Sequence, residues 1–147
     1  MDEQRFSVAA YAVIQDDRGR VLLTRRREGG EWVLPGGTVA EQEVPWEAVV
    51  REVAEETGLE ASVDRLVGVY AKPRERDLVF VFEAGARGGE LRASEERDRV
   101  EFADPQHLPE GTGDRDRKRI ADALAERSAP VLEVQPSEED EPPGGIR

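Results

Sequence analysis

Three glutamates in the middle of the chain have the residue type and the spacing of a site for a divalent cation. Glu52, Glu55 and Glu56 stand at positions i, i+3 and i+4, so on a helix they share one face. Like charges at this spacing repel each other and weaken an isolated helix. Clustered carboxylate oxygens are, however, the ligands that Mg²⁺ and Mn²⁺ prefer. The triplet taken alone fits either a metal site or a solvated acidic helix face.

The residues around this triplet follow a longer fixed pattern. Gly37 is followed after five residues by Glu43, and after seven more by the segment Arg51-Glu52-Val53-Ala54-Glu55-Glu56-Thr57-Gly58-Leu59. This pattern matches every fixed position of the Nudix box, G-x5-E-x7-R-E-U-x-E-E-x-G-U, in which U is aliphatic. At ordinary composition a complete chance match is well below about one in a million. The chain therefore resembles the Nudix hydrolases.

The resemblance implies a reaction and a cofactor. Nudix enzymes hydrolyse a nucleoside diphosphate linked to another moiety, X, by attack of water at phosphorus, with Mg²⁺ or Mn²⁺ neutralising the phosphate charge. Carried over by position, the metal ligands are Glu52, Glu55 and Glu56, and the backbone carbonyl of Gly37 is an additional ligand. The same three glutamates, together with Glu96, form the predicted catalytic set.

Two further residues of the box are expected to have a structural role. The resemblance implies that Glu43 and Arg51 pair and hold the loop against the helix. On the helix itself, Arg51 is also placed to pair with Glu47 at i−4, a favourable orientation. Both pairs are compatible with one another.

The general base is left open between two regions. Within the box, Glu52 or Glu56 can serve. In other Nudix enzymes the base comes from a loop after the box, where Glu95 and Glu96 are the candidates here. An acidic loop exposed to solvent is the alternative interpretation of these two residues.

Arginines at the end of a predicted strand are candidates for binding substrate phosphate. Arg25 and Arg27 are assigned this role because strand alternation points them to one side and Arg26 to the other. An exposed strand end is the alternative. The moiety X stays open among nucleoside triphosphates, oxidised nucleotides, ADP-ribose and nucleotide sugars. A Nudix-fold module that senses a nucleotide without cleaving it is the rival function, which the complete glutamate set disfavours.

Composition limits the partners. The 147 residues carry 33 acidic and 21 basic side chains, a net charge of −12, so nonspecific binding to nucleic acid or to an anionic membrane is not expected. There is no cysteine, which excludes disulfides and zinc–thiolate sites. With no signal peptide and no membrane span recognised, we expect a cytoplasmic enzyme of nucleotide-type substrates, and a homodimer is compatible with the resemblance.

The glutamates require a helix to position them. Pro45 and Glu47 suit a first turn and Gly58 suits a C-terminus, so a helix is predicted over residues 45–57. Trp46, Val50, Val53 and Ala54 lie on its opposite face and are expected to dock on a sheet.

The rest of the chain alternates between strands and one more helix. Strands are predicted at residues 6–15, 20–24, 62–71, 78–84 and 100–102, with the first two as a hairpin, a turn at 85–89 and a helix at 114–127. The expected fold is an α/β (α+β) sandwich, with the mixed β-sheet between helices that the Nudix resemblance implies.

A composition shift divides the chain near residue 128. Residues 1–128 are expected to form one Nudix hydrolase domain. Residues 129–147 are acidic and rich in Pro and Gly, and are expected to be partly disordered. Within them, residues 131–134 suit either a last strand or an interface segment.

Overall fold

A computed structural model describes residues 5–137 of the chain. It contains eight strands and two helices within that range. They are β1 (Ser7–Ile14), β2 (Val21–Arg26), β3 (Trp32–Val33), β4 (Gly36–Thr38), α1 (Pro45–Thr57), β5 (Leu59–Lys72), β6 (Asp77–Gly89), β7 (Arg97–Ala103), α2 (Asp114–Leu124) and β8 (Val131–Val134). No helix in the described range is long and apolar enough to cross a membrane.

The strands form two sheets. Five make a mixed sheet in the order β4-β1-β6-β5-β8, in which β1 pairs parallel with β6 and β5 pairs antiparallel with β6. The other three make an antiparallel sheet in the order β3-β2-β7. The large sheet lies between the two helices, so the predicted α+β sandwich is confirmed.

Two apolar clusters hold these layers together because alternate residues of β1 face opposite sides of the large sheet. On one side, Ala10 and Ile14 pack with Val49 and Val53 of α1. On the other, Ala9 and Val13 belong to the cluster that includes Ile120 and Ala123 of α2. The active-site helix is thus fixed to the centre of the sheet.

Helix α1 has the predicted bounds, Pro45–Thr57. Pro45 opens the first turn, and the Val44 N–H donates to Glu47 Oε1 at 3.2 Å. Gly58 ends the helix in the left-handed conformation, with φ 83°, which glycine adopts without strain. The buried face consists of Ala48, Val49, Val53, Glu56 and Thr57. The expectation that Trp46 docks on the sheet is wrong, because its exposure is 56%.

The predicted hairpin of the first two strands is also wrong. β1 and β2 lie in different sheets, and only the isolated bridge between Gln15 and Val21 joins them. Both sides of β1 are occupied by β4 and β6, and both sides of β2 by β3 and β7. A short turn between two strands favours pairing, but here these other partners take both edges.

Three further boundaries differ from the prediction. Residues 85–89 belong to β6, because β5 begins at Leu59 and its first residues pair with them. Helix α2 ends at Leu124, earlier than expected. Residues 131–134 form β8, parallel to β5, so the alternative of a last strand is confirmed and the sheet continues beyond residue 128. The expected disorder of the tail lies mostly outside the described residues.

Candidate active site

The three glutamates of α1 differ strongly in burial. Glu56 is buried with 4% exposure, the Glu52 side chain is 17% exposed, and the Glu55 side chain is 60% exposed. Glu56 and Glu52 face Gly36 and Gly37 of β4, whereas Glu55 contacts Arg51. Glu56 and Glu52 therefore form the inner part of the site and Glu55 its outer edge.

Glu56 is held at both carboxylate oxygens. The backbone N–H of Gly36 donates to its Oε1 at 3.0 Å, and Arg97 Nη2 donates to its Oε2 at 3.2 Å. Burial and the adjacent Glu52 carboxyl together raise the pKa of Glu56 to about 8, although Arg97 and the Gly36 N–H act in the opposite direction. The positive charge around Glu56 is therefore too small to stabilise the ionised form of its carboxyl group.

Two glycines permit close approaches at this site, of β4 to β1 at Gly36 and of the Glu52 carboxylate to the backbone at Gly37. A Cβ on Gly36 would lie 2.2 Å from the Ala10 carbonyl oxygen, and one on Gly37 would lie 2.9 Å from Glu52 Cδ. Any larger residue would displace β1 or the Glu52 carboxylate. The structure thus brings Glu52, Glu56 and the backbone of Gly37 together.

This donor set fits a divalent cation. Glu52 and Glu56 provide carboxylate oxygens, the ligands that Mg²⁺ and Mn²⁺ take, and a cation would offset the burial and carboxylate repulsion that raise the pKa of Glu56. Within residues 5–137, no three acidic or histidine side chains converge closely enough to enclose an ion. Glu55 would therefore have to turn inwards to complete the ligand set.

The predicted pair of Glu43 and Arg51 is present. Arg51 Nε donates to Glu43 Oε2 at 2.8 Å and Nη2 donates to Oε1 at 2.9 Å, a bidentate contact that ties the loop to α1. These hydrogen bonds lower the pKa of Glu43 to about 2. Arg51 Nη1 also contacts Glu52 and Glu55, so the guanidinium partly offsets the acidic face.

Arg25 and Arg27 both contact β7 or the loop before it, whereas Arg26 also lines the larger cavity. Arg25 makes two hydrogen bonds to Asp98, at 2.9 and 2.6 Å. Arg27 Nε donates to the Glu95 carbonyl at 2.7 Å. Arg26 has a buried Nε without a hydrogen-bond partner and lines two neighbouring cavities. Arg27 also lines the smaller cavity. The buried Nε without a partner is what favours Arg26 for phosphate, and the assignment of Arg25 and Arg27 stays a prediction.

The smaller cavity, of about 520 Å³, lies beside the buried Glu56 pair. Its lining includes Arg97, which contacts Glu56, and both loop candidates for the general base, Glu95 and Glu96. Both glutamates are exposed, so their carboxylates are accessible to solvent. The structure places them at the same cavity as Arg97, and their catalytic role stays a prediction.

The larger cavity, of about 730 Å³, shares Arg26 with the smaller one and extends to the N-terminus of α2. Its one aromatic wall is Tyr11, and the Arg119 guanidinium lies 5.5 Å from that ring. Arg119 donates to Asp116 at 3.3 Å and keeps a buried Nη2 without a partner. Burial raises the pKa of Asp116. The cavity therefore presents both donors and acceptors.

Sequence reasoning did not identify Arg97, Arg119 or Asp116. Arg97 directly follows the candidate glutamates of the loop, which was the one local signal available. Arg119 and Asp116 lie on a helix far along the chain, and only the packing of α2 brings them to Tyr11.

Comparison with known proteins identifies the family of this chain. The family model of the NUDIX domain matches residues 5–124. A MutT-like protein of Streptomyces ambofaciens is 37% identical over 80% of this chain and 77% of its own length. An ADP-ribose pyrophosphatase of Methanocaldococcus jannaschii is 40% identical over 70% of this chain and 64% of its own.

Solved structures show the same fold. A NUDIX hydrolase from Nitrosomonas europaea superposes with a TM-score of 0.81 at 20% identity, covering 91% of this chain and 81% of that one. The MutT protein from Methanosarcina mazei gives 0.70 at 27% identity, covering 80% and 91%. With the family match across most of its length, this chain belongs to the Nudix hydrolases and is a pyrophosphohydrolase of that family.

Proposed function

We propose that this enzyme hydrolyses the pyrophosphate link of a nucleoside diphosphate joined to a sugar, of which ADP-ribose is the first to test, with Mg²⁺ or Mn²⁺ as cofactor. The observation that carries the proposal is the placement of Glu52 and Glu56 at the Gly36-Gly37 backbone. Arg97 contacts Glu56 and lines the smaller cavity, which shares Arg26 with the larger one.

The residues that would hold the cation are Glu52, Glu55, Glu56 and the carbonyl of Gly37. A bound divalent cation supplies positive charge at the phosphate oxygens and activates water. Arg51 orients two of these carboxylates through its contacts with Glu52 and Glu55. The polypeptide thus contributes placement and electrostatics, which is the main requirement of phosphoryl chemistry.

Arg26 is the side chain that we assign to the diphosphate. It lines both cavities, and its buried Nε lacks a hydrogen-bond partner, which a phosphate oxygen would provide. Arginine suits this contact because its guanidinium remains charged and can donate two parallel hydrogen bonds.

The larger cavity suits a hydroxyl-rich group. Charged side chains dominate its lining, and the Tyr11 ring is already in contact with Arg119. Sugar hydroxyls both donate and accept hydrogen bonds, and the cavity offers Arg119 as a donor and Asp116 as an acceptor. The similarity to an ADP-ribose pyrophosphatase supports the same choice. The similarity to a putative 8-oxo-dGTP diphosphatase of Bacillus subtilis makes nucleoside triphosphates, including oxidised ones, the second candidate class.

The base that activates water is proposed to be Glu96, with Glu52 or Glu56 as the alternative within the box. Glu96 is exposed at the cavity that Arg97 also lines, so a proton taken from water has a path to solvent.

The test is hydrolysis of a panel comprising ADP-ribose, a nucleotide sugar, a nucleoside triphosphate and oxidised dGTP, each with Mg²⁺, with Mn²⁺ and with EDTA. We expect cleavage of the sugar-linked substrates, dependence on the metal, and loss of nearly all turnover in Glu56→Gln. Glu47→Gln is the matched control, because it removes one carboxylate from the same helix outside the site. Cleavage in EDTA, or full turnover of Glu56→Gln, would contradict the proposal.

A further inference from the structure

Glu56 has a partner that does not belong to the Nudix box. Arg97, the first residue of β7, donates from Nη2 to Glu56 Oε2 at 3.2 Å, and both side chains are less than a tenth exposed. In the chain the two residues are 41 positions apart. The tertiary fold therefore buries a guanidinium against a proposed metal ligand.

The backbone of Arg97 is fixed on both sides. Its N–H donates to Ser94 Oγ at 3.1 Å, its carbonyl accepts from the Ser94 N–H at 2.8 Å, and Arg97 is paired with Arg26 across β2 and β7. The side chain thus starts from a rigid position, which limits the orientations that its guanidinium can take towards Glu56.

The pair is poorly explained as a device for stability alone. Buried ion pairs stabilise a fold only when their remaining donors are also satisfied. Arg97 Nε is buried and has no hydrogen-bond partner. Arg97 instead holds Oε2 of Glu56 while the Gly36 N–H holds Oε1, so the carboxylate cannot rotate freely.

We propose that Arg97 is a positioning residue for the metal site, which holds the Glu56 carboxylate in the orientation that binds the divalent cation. The proposal rests on the proposed function, since it requires Glu56 to be a ligand. Residues that hydrogen-bond a ligating carboxylate orient it, and their loss typically lowers metal affinity or activity by about 10–100-fold.

The experiment measures Mn²⁺ binding to the metal-stripped full chain by electron paramagnetic resonance of the free ion. Arg97→Met removes the donor while keeping a long side chain, Arg97→Lys keeps a charge and a donor, and Arg99→Met is the matched control. Arg99 lies on the same strand, and its ion pair is with Glu101 near the surface. Circular dichroism in EDTA checks that each variant is folded.

We expect the dissociation constant of Mn²⁺ to rise about 10–100-fold in Arg97→Met, less in Arg97→Lys, and not in Arg99→Met. The Mn²⁺ concentration for half-maximal hydrolysis should rise by the same factor, whereas kcat at saturating Mn²⁺ should change less. A purely structural role would alter unfolding without this selective shift in metal dependence.

A dissociation constant of Arg97→Met within about twofold of the unaltered protein would overturn the role of Arg97 while leaving the proposed function in place. If Arg97→Met does not fold, Arg97→Lys decides by the same criterion. Failure of the unaltered protein to bind Mn²⁺ at all would overturn the proposed function, and the role of Arg97 with it.

Discussion

Replacing Arg26 by methionine should lower activity without weakening the fold. The Arg26 side chain lines both cavities, and its buried Nε donates to no group in the described part of the chain. Methionine keeps the aliphatic part of the side chain and removes the charged donors. The change therefore removes a potential substrate contact and few contacts within the protein.

The size of the effect follows from the contact that would be lost. A hydrogen bond to a charged group is worth about 1.5–3 kcal/mol, which corresponds to a loss of roughly 10–150-fold in kcat/KM. A buried donor without a partner destabilises the folded state by about 1–3 kcal/mol, so its removal favours the fold. The loss of the attraction between Arg26 and the buried Asp116 acts in the opposite direction, so we expect little net change in the free energy of unfolding.

Arg25→Met is expected to show the opposite pattern. Arg25 makes two hydrogen bonds to Asp98, which lower the pKa of that carboxyl. Removing the guanidinium leaves Asp98 without this partner, so stability should fall. The pair of variants separates Arg25, one of the two arginines that strand alternation selected, from Arg26, to which we assign the diphosphate.

The assay is steady-state hydrolysis of the best substrate of the panel at saturating Mg²⁺, combined with urea unfolding of both variants in EDTA. The assignment would be refuted if kcat/KM were unchanged in Arg26→Met but reduced in Arg25→Met under conditions in which urea unfolding shows that Arg25→Met is still fully folded. That result would return substrate binding to a residue predicted by alternation.

Two further variants test the loop and the charge pair. Glu96→Gln should lower kcat more than it raises KM if Glu96 is the base. An unchanged kcat would contradict this role and favour Glu52 or Glu56 as the base. Glu43→Gln should reduce stability most above about pH 5, because the folded pKa of Glu43, about 2, lies below its unfolded value. That stabilisation is lost as pH falls from about 5 to 2, so the free energies of unfolding of the unaltered protein and of Glu43→Gln, measured with urea at several pH values, should converge. A difference that stays constant with pH would contradict the role of the pair.

Much of the site was predictable because its parts lie close together in the chain. Helix α1 begins at Pro45 and ends before Gly58 for local reasons of backbone geometry, and its bounds are as predicted. The pair of Glu43 and Arg51 spans eight residues and is likewise present. Short-range interactions of this kind depend little on the rest of the fold.

The arginine that faces the cavities was not predictable from alternation. The pairing of β2 with β7 shifts register between Arg25 and Arg26, which marks a β-bulge or irregularity there. Arg25 pairs with Arg99 and Arg26 with Arg97, so the extra residue is Asp98 of β7, the side chain that binds Arg25. The alternation of β2 is not interrupted, but which of its sides meets the cavities depends on the strand and loop that pack beside it, and the sequence of β2 alone does not reveal this.

By itself, the sequence determined the family, the helix that carries the glutamates and the chemistry that these residues permit. The tertiary structure decided which side chains surround them. β1 pairs with β6 rather than with its neighbour β2, and Arg97 reaches Glu56 across 41 positions of the chain. Such contacts depend on strand order and packing, where many distant partners compete, and local patterns carry little information about which partner is chosen.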